Sequence, residues 1–385
     1  MMNYPIFDVA IAGAGLGGAS AAIALSQRGF KVLVLESGTF PRHKVCGEFL
    51  SSESRVSFAR LGILDAIFDA GAIAVDKARI ATRRGQTETS IAPSGLAISR
   101  WKLDPILWQA AQNCGAVALE STLVRGFTRS PNGHSAWKIE TSRGQFEART
   151  VLSATGRRAL KWADSPSIAR DETALYAGFK THFRDCDVPR GVVELHATRG
   201  GYCGLVRVED DLVNACLLLR YDEVARRSPE QIWDDFRKAL PSLRRAMKNA
   251  RPMMPWLATG NVAFERFSPL HRICEGTADN NHKVLCCGDA AGYIHPLTGD
   301  GMAMAVRGGE LAAACLSSQL RGELSEAEAA ALYKSAWHRE FDGRLRWAAR
   351  FQNLLIHPRR AAPALALLNL VPPLARQTVR LTRSR

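Results

Sequence analysis

Several features are missing from this 385-residue chain. None of its nine cysteines forms a CxxC pair, and no Cys/His cluster has zinc-site spacing. That excludes a thioredoxin-like redox motif and a structural zinc module, and no metal site is expected. The cysteines, at 46, 114, 186, 203, 216, 274, 286, 287 and 315, read mostly as small buried hydrophobes of a reducing compartment. No apolar run is long enough to span a bilayer. The longest near the end, Ala361 to Val371, is broken by Pro363 and falls short of the roughly 20 residues a spanning helix requires. The first residues do not read as a secretory leader, because Asp8 follows Met1 too closely. A cytoplasmic location, at most peripheral to a membrane, is the expectation. Internal repeats and low-complexity linkers are also lacking.

Acid is the other scarcity, and it is local. From Gly343 to Arg385 there is no Asp or Glu, while nine arginines from Arg344 to Arg385 remain. This stretch carries most of a formal net charge of +14. The arginines lack interleaved aromatics, and no nucleic-acid fold signature accompanies them, so nucleic acid is not an expected partner. Two readings stand: a solvated helical face, or peripheral contact with an anionic membrane surface through the basic C-terminus. A hydrophobic content of 46% and a charged content of 23% are those of an ordinary soluble protein. At this length they predict one large or two intertwined domains with a real core.

What the chain does have is concentrated at its start. Phe7 to Ala12 is short and apolar, like a buried parallel strand. Gly13-Ala14-Gly15-Leu16-Gly17-Gly18 follows, then an Ala- and Leu-rich helix over Ala19 to Arg28. A second buried strand over Lys31 to Leu35 closes on Glu36. Strand, glycine turn, helix, strand and acid make up the βαβ dinucleotide fingerprint. Gly13 allows the tight turn, Gly15 lets a pyrophosphate approach the backbone, and Gly18 lets helix and strand pack closely. The helix N-terminus offers free N–H groups to phosphates. Glu36 can accept hydrogen bonds from ribose hydroxyls and disfavours a 2′-phosphate, so NADP is not the expected occupant. FAD and NAD both remain open from this stretch alone.

Further along, a loop over Phe40 to Ser52 precedes helices over Ser54 to Leu61 and Leu103 to Asn113. Strand-like alternation runs over Ala78 to Ile98. Leu123 to Thr128, Ala136 to Thr141 and Gln145 to Val151 read as antiparallel strands, with turns at Pro131-Asn132-Gly133 and Ser142-Arg143-Gly144. Val151 to Arg157 reads as a separate strand returning to the nucleotide-binding sheet. Tyr176 to Phe183, Val192 to His196, Tyr202 to Val208 and Leu212 to Leu219 read as the strands of a second sheet. A helix over Pro229 to Leu240 has Ser228 as its cap, and a strand is expected over Asn261 to Phe267. A buried strand over Lys283 to Cys287 feeds Gly288-Asp289-Ala290-Ala291-Gly292 and then Pro296-Leu297-Thr298-Gly299-Asp300-Gly301. Helices over Met302 to Leu320 and Glu326 to Gln352 complete the pattern.

The fold class expected is α/β. A discontinuous Rossmann-like domain of the glutathione-reductase type spans 1–75, 99–172 and 283–330. A sheet-based substrate domain spans 76–98 and 173–282, and a helical, basic C-terminal region spans 331–385. A strand ending in Gly288-Asp289 presents a carboxylate to sugar hydroxyls. Gly299 and Gly301 let the backbone lie against a flat ring, and the helix starting at Met302 turns its positive end toward negative charge.

Gly13 to Gly18, Glu36 and the Gly288-Asp289 block with Pro296 and Gly301 together resemble the FAD-dependent aromatic-hydroxylase-like flavoprotein superfamily, over nearly the whole chain. The resemblance implies FAD as cofactor, with Asp289 on its ribityl chain and the helix at Met302 aimed at the flavin pyrimidine ring. Pro41-Arg42 through Cys46-Gly47-Glu48, with Leu50-Ser51, resembles the PxxxxCG…LS loop of the geranylgeranyl-reductase-like branch. Gly292 stands where typical aromatic hydroxylases carry His, and the WxWxIP motif of flavin halogenases is absent. The middle motif reads Ala154-Thr155-Gly156-Arg157 where the family usually carries Asp-Gly, and Gly156 remains a cofactor contact. Arg100 and, by similar logic, Arg42 are implied contacts of the FAD ribose or phosphates.

In that branch the loop lies beside the flavin, which makes Cys46 the sharpest catalytic candidate, with Lys44 and His43 beside it to favour a thiolate. Glu48 is a candidate proton donor or a solvated acid. His295 either faces the flavin or makes a structural hydrogen bond. The implied activity is an FAD-dependent oxidoreductase acting on an apolar or aromatic small molecule, with NAD(P)H as transient reductant. Double-bond reduction is the first reading. A monooxygenase working through a flavin C4a-hydroperoxide is the second, and a flavin-binding protein without turnover is the third.

Overall fold

The computed structural model describes residues 5–129, 136–157, 163–164, 175–224, 226–262, 269–273, 283–292, 296 and 299–355. Among these residues two sheets form, each of nine strands. The first is built on Phe7–Ala12. Val32–Leu35 lies parallel on one side of it, followed by Val117–Leu119, and Gly144–Ser153 lies parallel on the other. Lys283–Cys286 continues the parallel run beyond Gly144–Ser153. The helix Leu16–Ser26 crosses from the first strand to the second and is buried along its whole length. It lies against the helix Gly301–Leu320, where the backbones come very close. A Cβ on Gly309 would sit 2.2 Å from the carbonyl oxygen of Gly17.

The expected separate strand at Val151 to Arg157 is the end of one long strand, Gly144–Ser153. Its first half pairs antiparallel with Trp137–Thr141, and its second half runs parallel to Phe7–Ala12, with Ala148 in both registers. The burial pattern changes along it. Alternation over Gly144 to Arg149 gives way to full burial from Thr150 to Ser153, because only the second half is covered on both faces. The turn expected at Pro131 to Gly133 lies outside the described residues.

The second sheet runs Arg251–Pro252, Tyr176–Arg184, Val213–Arg220, Gly201–Arg207, Val192–Thr198, Ile73–Thr82, Gly85–Ala97 and Phe49–Leu50, with Leu257–Val262 also on Tyr176–Arg184. The strand expected over Asn261 to Phe267 is placed earlier, at Leu257–Val262, and residues 263–268 lie outside the described set. Three strands sit across the expected domain boundaries. Phe49–Leu50 and the start of Ile73–Thr82 belong to the second sheet, and Leu270–Ile273 pairs with Lys283–Cys286 in the first.

Strand alternation decides which face of the second sheet faces what. Ala177, Phe179 and Phe183, with Leu205, Val213, Ala215 and Leu217, pack under a helical cover. That cover is the helix Pro229–Ala239, whose Ile232, Trp233 and Phe236 are buried. Ser228 and Gln231 close it with reciprocal hydrogen bonds of 3.2 and 3.0 Å. The intervening residues Gly178, Tyr202, Gly204, Cys216 and Leu218 turn the other way and line a cavity between the sheets.

The C-terminal helix Glu326–Leu355 lies on Gly301–Leu320, and its Tyr333 hydroxyl donates to the carbonyl of Cys286 at 2.7 Å. Arg344, expected on a basic face, is buried and paired with Glu53 at 3.4 Å. Residues 356–385, with the other tail arginines from Arg359 onward, lie outside the described set. Among the described residues no helix is long and apolar enough to cross a membrane.

Candidate functional site

A cavity of about 720 Å³ runs from the glycine turn of the first sheet to the inner face of the second. Its glycine end is built by contacts only glycine allows. Gly13 has φ +99°, and a Cβ there would lie 2.3 Å from the Ala154 carbonyl oxygen. A Cβ on Gly18 would lie 2.0 Å from the Gly13 carbonyl oxygen. Gly15 differs: it caps the helix with extended backbone, and a Cβ there would meet nothing within 4 Å. The space beside it is the cavity, as it is beside Gly156 at φ +72°. Gly17, to which the sequence reading assigned no role, belongs to packing, since its Cβ would press on Ala305 and Cys287.

Glu36 lies at the same end. It accepts from the backbone of Ala14 and Gly38 at 3.0 and 2.9 Å and from Arg42 at 2.8 Å. Burial works to raise its carboxyl, but these donors outweigh it and hold the pKa below the ordinary value. Arg42 is therefore engaged with Glu36 at the cavity wall. Arg100 makes a two-pronged pair with Asp104 at 2.6 and 2.9 Å, and Lys44 joins the same carboxylate at 2.6 Å. The Arg100 guanidinium also lies near Cys46. Both Arg42 and Arg100 line the cavity.

Cys46 faces the cavity between the sheets, with its sulfur 3.4 Å from the sulfur of Met302. The cations expected beside it are elsewhere. Lys44 is on Asp104, and His43 stacks on Trp101 with ring centroids 4.7 Å apart. Arg100 takes their place. Asn214 holds the loop by donating to the Cys46 carbonyl at 3.1 Å.

Glu48 is not a solvated acid. Its side chain is fully buried, with φ +54°, and it accepts from Lys180, from His182 Nε2 at 2.6 Å and from the Arg100 amide at 2.8 Å. Burial would raise its pKa, but the Lys180 ammonium and the His182 hydrogen bond bring it to about 2. A carboxylate so held stays ionised and fastens the Cys46 loop to the second sheet. Lys180 and His182 were not found from sequence. The signal was a Lys and a His two residues apart on one face of an otherwise buried strand.

The linkage has a definite sign. Unfolded, Glu48 titrates near 4.5; folded, at about 2. As pH falls, the unfolded chain takes up the proton first. The stabilisation is whole above about 4.5 and disappears toward pH 2. A shift of this size amounts to about 3 kcal/mol. Denaturant unfolding is expected to show this loss in wild type and a shallower loss in Glu48→Gln.

Asp289 is open to the cavity while lying deep within the fold. Desolvation raises its carboxyl, against Arg157, Arg100 and Lys44. Gly288, Pro296, Gly301 and Met302 line the same end. Gly299, at φ +70°, also lines it, but its close neighbour is Phe49, whose ring would lie 2.4 Å from a Cβ there. His295 lies outside the described residues. Among those described, no group of three or more His, Cys, Asp or Glu is placed to hold a metal.

A glycine turn opening on a cavity, a buried acid one strand away, and a second carboxylate open to the same cavity are the features of an FAD-dependent oxidoreductase site. The chain belongs to the FAD binding domain family, whose model matches residues 7–333. Among curated proteins it is 24% identical over 379 residues to conditioned medium factor receptor 1 of Dictyostelium discoideum, covering 87% of this chain and 68% of that one. It is 26% identical over 327 residues to menaquinone reductase of Mycobacterium tuberculosis, covering 81% and 77%. Among solved structures, the flavin-dependent brominase Bmp2 superposes with a TM-score of 0.80 at 17% identity, covering 98% and 93%. A geranylgeranyl bacteriochlorophyll reductase-like protein of Thermoplasma acidophilum superposes with 0.76 at 18%, covering 95% and 91%. The expected fold class holds.

The residues present fit FAD. The open space at Gly15 and Gly156 would admit a pyrophosphate, Glu36 could accept from ribose hydroxyls, and Asp289, open to the cavity, could meet a ribityl chain.

Proposed function

We propose that the protein reduces a carbon–carbon double bond in an apolar or aromatic small molecule, with NAD(P)H as the reductant that reloads the cofactor. The observation that carries this reading is the continuity of the cavity from Gly15 past Cys46 to an apolar wall of Ala78, Ile80, Ile91, Val193 and Leu195. Bound FAD, once reduced, supplies a hydride equivalent. Gly15, Gly156, Glu36 and Asp289 would hold it, and the second sheet holds the substrate against it and excludes water. The Cys46 sulfur holds the proton due to the neighbouring carbon, with the Arg100 guanidinium beside it. Glu48, Lys180 and Asn214 keep that sulfur in place. The menaquinone reductase relative is, by its name, a reductase of menaquinone, which supports the reading.

Cys46→Ala is expected to lower turnover about 100-fold, the scale of losing a proton donor, with FAD affinity unchanged. Equal turnover in the variant and wild type would remove Cys46 from the chemistry. The reaction itself is tested by supplying NADH or NADPH and candidate olefins without oxygen. A product with two added hydrogen atoms supports reduction. The oxygen-dependent alternative requires oxygen consumption tied to substrate.

A further inference from the structure

Gly204 lies in the middle of the strand Gly201–Arg207, paired in register with Leu195 on one side and Cys216 on the other. Glycine inside a strand weakens it, so its presence calls for a reason: a bulge, a backbone that needs positive φ, a close neighbour, or a ligand. Neither register shifts at Gly204, and its φ is not positive. Nor is a neighbour pressed against it, because a Cβ there would meet only the Cys216 carbonyl oxygen and Leu195 Cδ2, both at 3.8 Å. Two nearby glycines are accounted for. Gly201 would collide with the Leu218 carbonyl oxygen at 2.3 Å, and Gly178 meets Val45 and Thr259 at 3.2 and 3.1 Å. Gly204 alone of the three has room for a side chain.

That space is the cavity. Across the sheet one row of cavity-facing residues reads Ile80, Leu195, Gly204, Cys216. The row has a notch one side chain deep at its third position, one strand from Cys216. We infer that Gly204 is a specificity-determining position, whose missing side chain makes the notch that receives the bulk of the substrate. The inference rests on the proposed reading of the cavity as a substrate site.

The probes are 4-alkylphenols of increasing alkyl length, neutral and apolar, titrated into FAD-loaded protein and followed by the flavin absorbance. Wild type is expected to bind more tightly as the chain lengthens. Gly204→Phe is expected to lose about tenfold for the longest members, the worth of two or so buried methylenes. The shortest members should bind as before. Gly204→Ala, which relieves the backbone cost of glycine and adds little volume, should keep the length dependence and melt no lower than wild type. Unchanged length dependence in a folded, FAD-loaded Gly204→Phe overturns the inference and leaves the reading of the cavity standing. Failure of FAD-loaded wild type to bind any member overturns both.

Discussion

Glu48→Gln is expected to destabilise the folded protein by about 3–5 kcal/mol, the range for breaking a buried ion pair from one side. The reason lies in what stays behind. Glu48 and Lys180 are both fully buried, and the amide that replaces the carboxylate carries no charge to answer the Lys180 ammonium. His182 loses its ionic acceptor as well, at 2.6 Å. A double variant, Glu48→Gln with Lys180→Met, removes both charges and is expected to recover most of the loss, since an apolar pair of similar volume often matches a buried ion pair. Equilibrium unfolding of both single variants and the double variant gives the coupling directly. Additive losses would mean that the pair does not hold the loop. Since the same carboxylate accepts from the Arg100 amide, the single variant should also loosen Arg100 from Cys46.

Gly15→Val is expected to leave the melting temperature nearly unchanged while weakening FAD about 100-fold or more, the scale of about 2.7 kcal/mol. The backbone at Gly15 is extended, with φ −65° and ψ 179°, which valine adopts freely. Its side chain would enter space where no protein atom lies within 4 Å. The only thing it can displace is what approaches the backbone there. Gly13 and Gly18 cannot serve this test, because a side chain at either collides with protein backbone. Retention of FAD by a folded Gly15→Val protein would move the pyrophosphate away from this turn.

The glycine turn was readable because its parts are neighbours in sequence and each answers to a local constraint. The same holds for the capped helix at Ser228. Glu48 was not readable, because its meaning depends on Lys180, 132 residues away. Without that partner, an acid next to a Cys-Gly turn looks like a proton donor. Arg42 and Arg100 were expected as contacts of the FAD ribose or phosphates; their engagement with Glu36 and Asp104 came from the fold. Gly299 illustrates the limit of a motif: it lies where expected, and its close neighbour is the Phe49 ring. The sheet membership of Phe49–Leu50 was hidden for a similar reason. Phe49–Leu50 is too short to announce itself as a strand, and only its pairing with Leu96 and Ala97 puts it in the second sheet.

One cavity is proposed to hold FAD at the glycine turn and an apolar substrate on the second sheet, in position for reduction. The most direct measurement is a single turnover without oxygen. Enzyme-bound FAD is reduced with NADH or NADPH, excess nucleotide is removed, and an olefin is added. The flavin is expected to return to its oxidised spectrum as the olefin gains two hydrogen atoms, and Cys46→Ala to slow this about 100-fold. A flavin that stays reduced until oxygen is admitted, with a product that then carries an added oxygen atom, would contradict it.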